Sequence, residues 1–123
     1  MDDSRPIFQQ IAEQIENDVI SGALPEETQV PSTNEFAAFH RINPATAGKG
    51  VNLLVDEGIL YKKRGIGMFV AEGARARLVA QRRDLFRDQY LAPLLAEAAK
   101  LGISQDELAT MLRQTFTRKA DAK

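Results

Sequence analysis

Two helix-start signals stand eleven residues apart, at Ser32 and Asn43 in VPSTNEFAAFHRINPATAGKGVNLLVDEG, and that spacing narrows the possible folds sharply. Ser32 followed by Glu35 is a capping-box pattern, in which hydroxyl and carboxylate each satisfy one orphan N–H of a first helical turn. Asn43 can cap a second helix in the same way, and Pro44 at its first position loses no donor that is needed. Gly58 suits the left-handed residue just past that helix. These signals predict helices over about 33–40 and about 44–57, with Arg41 and Ile42 left for the turn. Two helices joined so tightly form a helix-turn-helix candidate.

Within the second of these helices, AGKG invites a phosphate-loop reading. That loop needs a glycine where Asn43 stands and Ser or Thr where Gly50 stands, so the reading fails. Helical periodicity accounts for the segment better: Ala47, Val51, Leu54 and Gly58 share one face, while Ala45, Lys49, Asn52 and Asp56 share the opposite one. Gly48 and Gly50 each cost such a helix roughly 1 kcal/mol relative to Ala. Either they are tolerated by weak selection, or missing side chains let something approach the backbone beside Lys49. Gly48, on the flank of Ala45, is placed to permit contact, and Gly50, on the other flank, to serve helix packing.

Upstream, PIFQQIAEQIENDVISG places Ile7, Phe8, Ile11, Ala12, Ile15 and Val19 on one helical face between Pro6 and Gly22. ALPEET reads as a turn. Downstream, ILYKKRGIGMFV has β-prone ends around a basic run and two glycines, which predicts a hairpin whose tip is either simply solvated or built to meet an anion. From about Ala74 the pattern is helical again, with Pro93 either kinking a long helix or starting a new one. Ser104 and Glu107 repeat the capping box ahead of Leu108, Met111, Leu112 and Phe116, and the tail RKADAK is expected to fray.

The charge balance misleads when taken whole. Residues 1–70 carry 6 Lys+Arg against 10 Asp+Glu, or −4, but residues 37–70 carry five basic groups against two acidic ones, or +3. The acidic excess lies upstream, between Asp2 and Glu35 and partly along the first helix, so a polyanion-binding surface is still available. With no cysteine there is no disulfide framework, and the single histidine, His40, reads as a surface or packing residue rather than a metal ligand. No run approaches the roughly 20 apolar residues of a membrane span, and the acidic start does not resemble a secretory signal. A cytoplasmic protein is expected, with no cofactor and no membrane partner. No nucleophile-and-base pair or paired carboxylates in a pocket signature point to an enzyme.

The spaced set Pro31-Ser32, Asn43-Pro44-x-Thr46, Glu57-Gly58 and Arg64-Gly65-x-Gly67-x-Phe69-Val70 resembles the DNA-binding domain of the GntR family of bacterial transcriptional regulators. The Asn-Pro helix start and a C-terminal part of only about 50 residues are similar to its YtrA-type subfamily. The resemblance implies a recognition helix in the major groove, a second-helix start on phosphates and a wing in the adjacent minor groove. Carried over, Ser32 and Asn34 lie at the second-helix start, Asn43, Ala45, Thr46 and Lys49 on the recognition helix, and Lys63, Arg64 and Gly65 in the wing. Asn34 stands where the family usually has Arg and Lys49 where the subfamily usually has Arg, and each exchange weakens bidentate recognition.

The expected fold is mainly α with a small β-hairpin: a winged helix-turn-helix over 1–71 and a short all-helical dimerisation domain over 72–123. So few helical residues cannot easily enclose a core alone, so a second copy is the expected partner, with Leu85, Leu94, Leu95, Leu112 and Phe116 at the interface. The expected function is a homodimeric transcriptional regulator, a repressor by resemblance, on a pseudo-palindromic double-stranded DNA operator. Any small-molecule effector would sit in the helical part between protomers. The rival from another class is a winged helix used as a protein-interaction module, which would also explain the acidic first helix.

Overall fold

Pro6 precedes helix α1, Ile7–Ser21, and Gly22 ends it at φ 89, its N–H donating to the Val19 carbonyl. This is a computed structural model, and it describes residues 4–121. Ile11, Ala12, Ile15 and Val19 turn inward from α1, whereas Ile7 at the first position of the same stripe is exposed. Helix α2, Thr33–His40, starts in the expected capping box, with Glu35 N–H donating to Ser32 Oγ at 3.1 Å and Ser32 N–H donating to Glu35 Oε1 at 3.1 Å. Arg41 makes the turn at φ 56, left-handed without being glycine. Helix α3, Pro44–Asp56, is capped by Asn43, whose Oδ1 accepts from Ala45 N–H at 2.7 Å.

Strands β1, Leu60–Lys63, and β2, Gly67–Val70, pair antiparallel with Leu60 opposite Val70 and Lys63 opposite Gly67. The alternation sends Leu60 and Val70 into the core and stacks Tyr61 on Phe69 outside it, with ring centroids 5.9 Å apart. The other edge of β2 is also used: Glu27 N–H donates to Val70 O, Val70 N–H to Thr28 O, and Val30 N–H to Met68 O. The chain leaving the ALPEET turn thus lines the sheet as a third, irregular strand, because an open edge offers unpaired N–H and C=O groups.

One cluster, including Ile11, Val19, Ala37, Val51, Leu54 and Ile59, joins α1, α2, α3 and the hairpin, and Ala74 and Leu78 of α4, Ala74–Phe86, belong to it. Glu26 holds the start of α4 by accepting from Gly73 N–H at 2.8 Å and Arg75 N–H at 3.3 Å, a carboxylate on the positive end of a helix. Arg77 donates to Gly58 O at 2.6 Å. For these reasons the first compact unit runs on to Gln81, beyond the hairpin end at which the sequence pattern changes.

The second unit, from Arg82 onward, contains the end of α4, a π-helical turn at Arg87–Leu91, α5 at Ala92–Lys100 and α6 at Gln105–Asp121. Pro93 has no N–H and its ring crowds the carbonyl four residues back, so the backbone widens into the π turn and the proline occupies the first turn of α5. Gly102 turns the chain at φ 69, and Ser104 and Glu107 form the second capping box. The tail expected to fray is helical from Arg118 through Asp121, while Ala122 and Lys123 lie outside the described residues. Among the described residues no helix is long and apolar enough to cross a membrane.

Candidate nucleic-acid interface

The inward face of α3 is Ala47, Gly50, Val51 and Leu54, all buried, which leaves Ala45, Lys49, Asn52 and Asp56 exposed on the opposite face, with Thr46 half-buried. Charge runs along this outward face from Lys49 in the middle to Asp56 at the C-terminal end. A polyanion is therefore met best at the N-terminal half, where the helix dipole is also positive. Pro44 has no N–H and Asn43 caps Ala45, so the first turn offers Thr46 N–H and the Asn43 amide as donors. Side chains here are short. Gly48 lines a groove of about 560 Å3 with Phe8, Ala45 and Lys49.

The two glycines of AGKG separate cleanly. A Cβ on Gly50 would stand 2.6 Å from the Phe8 carbonyl oxygen and 3.1 Å from Ile11 Cγ2, so this glycine exists to let α1 and α3 touch. A Cβ on Gly48 would make only an ordinary contact, 3.5 Å from Thr33 Cγ2. That contact also sets the start of α2 beside the middle of α3. Lys49 reaches back over the ring of Phe8, 4.2 Å from its centroid, a cation–π contact that the one-dimensional pattern does not reveal.

At the start of α2, Ser32, Asn34 and Glu35 are exposed. The capping box uses the N–H groups of Ser32 and Glu35, and among the described residues those of Thr33 and Asn34 remain as donors along the helix axis. Its bonds from the Ser32 backbone and hydroxyl hold the Glu35 carboxyl below its ordinary value of 4.5. A depressed carboxyl stabilises the folded state above its unfolded value, and that contribution is lost as pH falls through the lowered one.

The wing turn is closed by Ile66 N–H donating to Lys63 O at 2.9 Å, with Gly65 at φ 77 as the left-handed residue. Lys63 is exposed, yet its ammonium lies 4.5 Å over the Phe69 ring and 5.9 Å from that of Tyr61, so Arg64 and Gly65 project furthest with Ile66. The Tyr61 hydroxyl donates to Glu27 Oε2 at 2.6 Å, and that bond raises the Tyr61 pKa. Gln29 Nε2 donates to Ile66 O at 3.0 Å and pins the tip from outside the hairpin. Helical periodicity places Phe8 in the apolar stripe of α1 without linking it to Lys49, and no signal in the sequence marks Gln29.

The other predicted cluster lies in the second unit. Leu85, Leu94, Leu95, Leu112 and Phe116 are 48, 39, 52, 44 and 75% exposed. His40 packs between aromatic neighbours, its ring 4.4 Å from that of Phe36 and 4.9 Å from that of Phe39.

A helix-turn-helix followed by a basic hairpin, with a cationic, short-side-chained outer face on its second helix, defines the winged-helix class of DNA-binding regulators. Residues 7–70 match the gntR family of bacterial regulatory proteins, and the chain belongs to that family. It is 29% identical to the HTH-type transcriptional repressor YtrA of Bacillus subtilis over 111 residues, 90% of this chain and 85% of that one. The crystal structure of a GntR-family regulator from Bacteroides thetaiotaomicron superposes with a TM-score of 0.77 at 32% identity, covering 92% of this chain and 98% of the other. The DNA-binding domain of AraR, solved in complex with operator ORX1, matches 55% of this chain and 81% of its own at 30% identity and a TM-score of 0.53. The chain is accordingly a transcription regulator with a winged-helix DNA-binding fold, and not an enzyme.

Proposed function

We propose that the protein is a homodimeric repressor that binds a pseudo-palindromic operator. In this reading α3 enters the major groove with Asn43, Ala45, Thr46 and Lys49 toward the bases, Ser32 and Asn34 meet phosphates, and Lys63, Arg64 and Gly65 reach the adjacent minor groove. Repression is the activity named for YtrA, and an operator is the partner in the AraR complex. The observation that carries the dimer is the wet apolar surface of the second unit. Among its described residues only Ala98 is buried, while Leu85, Leu94, Leu95, Leu112 and Phe116 stay in water. Apolar area is worth about 25 cal/mol per Å2 when removed from water, and a second copy related by a twofold axis carries the same apolar surface to cover it. A twofold pair would set two recognition helices about one DNA turn apart, roughly 34–36 Å. An effector, if one acts, would bind in this helical part, and the protein would work in the cytoplasm.

The test is selection of bound duplexes from a random pool, followed by a footprint and by sedimentation of the free protein. The expected result is a sequence with inverted half-sites, protected on both, and a dimer at micromolar concentration. No salt-sensitive duplex binding would favour instead a protein-interaction module.

A further inference from the structure

Ile66 is 64% exposed at the end of the wing. Single exposed apolar residues are common, so exposure alone means little. What distinguishes this one is how firmly it is held. Its N–H donates to Lys63 O at 2.9 Å and its carbonyl accepts from Gln29 Nε2 at 3.0 Å, so both backbone polar groups are satisfied at the tip itself. Gly65 at φ 77 and Gly67 at φ 143 flank it, and a Cβ on Gly67 would run into the Gln29 amide, so the glycine leaves room for the clamp. The β-branched side chain adds a restricted χ1. The wing therefore presents a stiff apolar knob just past its basic run, two residues beyond Arg64, and such a knob loses little freedom on contact.

We propose that Ile66 is an apolar DNA-contact residue, presented by Gln29 as a positioning residue, an inference that rests on the DNA-binding reading above. Arg64 beside it has a charge for phosphate, and the sugars adjoining each phosphate offer C–H surface to an aliphatic side chain. The two contributions differ in kind. A cation that neutralises a phosphate releases counterions, whereas an aliphatic contact releases none, so its share of the affinity is independent of salt.

The experiment is fluorescence anisotropy of the full chain on a labelled duplex recovered by selection, titrated over a series of KCl concentrations. Ile66→Ala is expected to weaken binding by about fivefold to thirtyfold at every salt concentration, with an unchanged slope. Ile66→Leu, which keeps the apolar surface, should bind within about twofold of the parent chain. Gln29→Ala should weaken binding alone and add little on top of Ile66→Ala, since the two act through one contact. Arg64→Ala should instead lower the slope by about 0.9. The proposal is overturned if Ile66→Ala binds like the parent, or if Ile66→Leu binds as weakly as Ile66→Ala. A parent chain without salt-dependent binding to any duplex would overturn the DNA-binding reading itself.

Discussion

At Gly48 and Gly50, two residues of the same type two positions apart in one helix answer to different neighbours. Adding a methyl at Gly50 forces it against the Phe8 carbonyl. Overpacking of this kind costs about 1–3 kcal/mol, against roughly 1 kcal/mol regained in helix propensity. Gly50→Ala should therefore lower the urea midpoint, and an unchanged or higher midpoint would refute the close α1–α3 contact. Gly48→Ala meets only Thr33 at van der Waals distance, so it should stabilise the fold by up to about 1 kcal/mol. If the DNA backbone comes close there, the same substitution must weaken operator binding. Stability and affinity then move in opposite directions, and equal affinity would show that the glycine is merely tolerated. Lys49 poses a competition: its cation–π contact with Phe8 is worth about 0.5–1 kcal/mol at an exposed site, whereas a good base contact contributes about 1–3 kcal/mol. The base should win, and Lys49→Ala should cost about 1–2 kcal/mol of operator affinity with relaxed preference at one position per half-site. A loss uniform across sequences would assign Lys49 to a phosphate.

The wing is the element whose composition and geometry disagree most. Three consecutive cations, Lys62, Lys63 and Arg64, look alike in the chain, but Lys63 spends its ammonium on the faces of Phe69 and Tyr61. Replacing all three with Ala should reduce the steepness of log K against log salt by about 2.7 if each cation meets a phosphate and by about 1.8 if Lys63 stays over its rings, at about 0.9 per phosphate neutralised. A merely solvated tip would leave the slope alone. Folding should survive, because the hairpin is anchored by Leu60 and Val70 in the core and by the third strand edge along β2.

For the whole molecule, the place where the chain is cut decides what folds. Truncation after Gln81 keeps Ala74 and Leu78 in the core and should give a folded monomer with weak operator affinity. Truncation after Ala71 removes both, along with the Gly73 and Arg75 N–H groups that Glu26 accepts from. Loss of a buried leucine alone costs about 2–5 kcal/mol, a large share of the stability of so small a unit. The shorter fragment should melt well below the longer one by circular dichroism. The intact chain should sediment as a dimer, and a monomer that still binds an operator tightly would contradict the proposed assembly.

Local backbone chemistry was legible in the chain by itself. Ser32, Asn43, Pro44 and Ser104 mark helix starts because capping needs only residues two or three positions apart, and Ala47, Val51 and Leu54 mark a buried face because helical period is a local property. Gly65 was legible for a similar reason, since a turn sets its own φ. What the tertiary structure decided are the contacts between residues far apart in sequence. Gln29 reaches Ile66, Phe8 comes under Lys49 and against Gly50, and Glu26 takes hold of α4, each across tens of positions. No periodicity encodes such pairings. They follow from how four helices and a hairpin close on one core, and they determine which of the look-alike cations and glycines are free to meet another molecule.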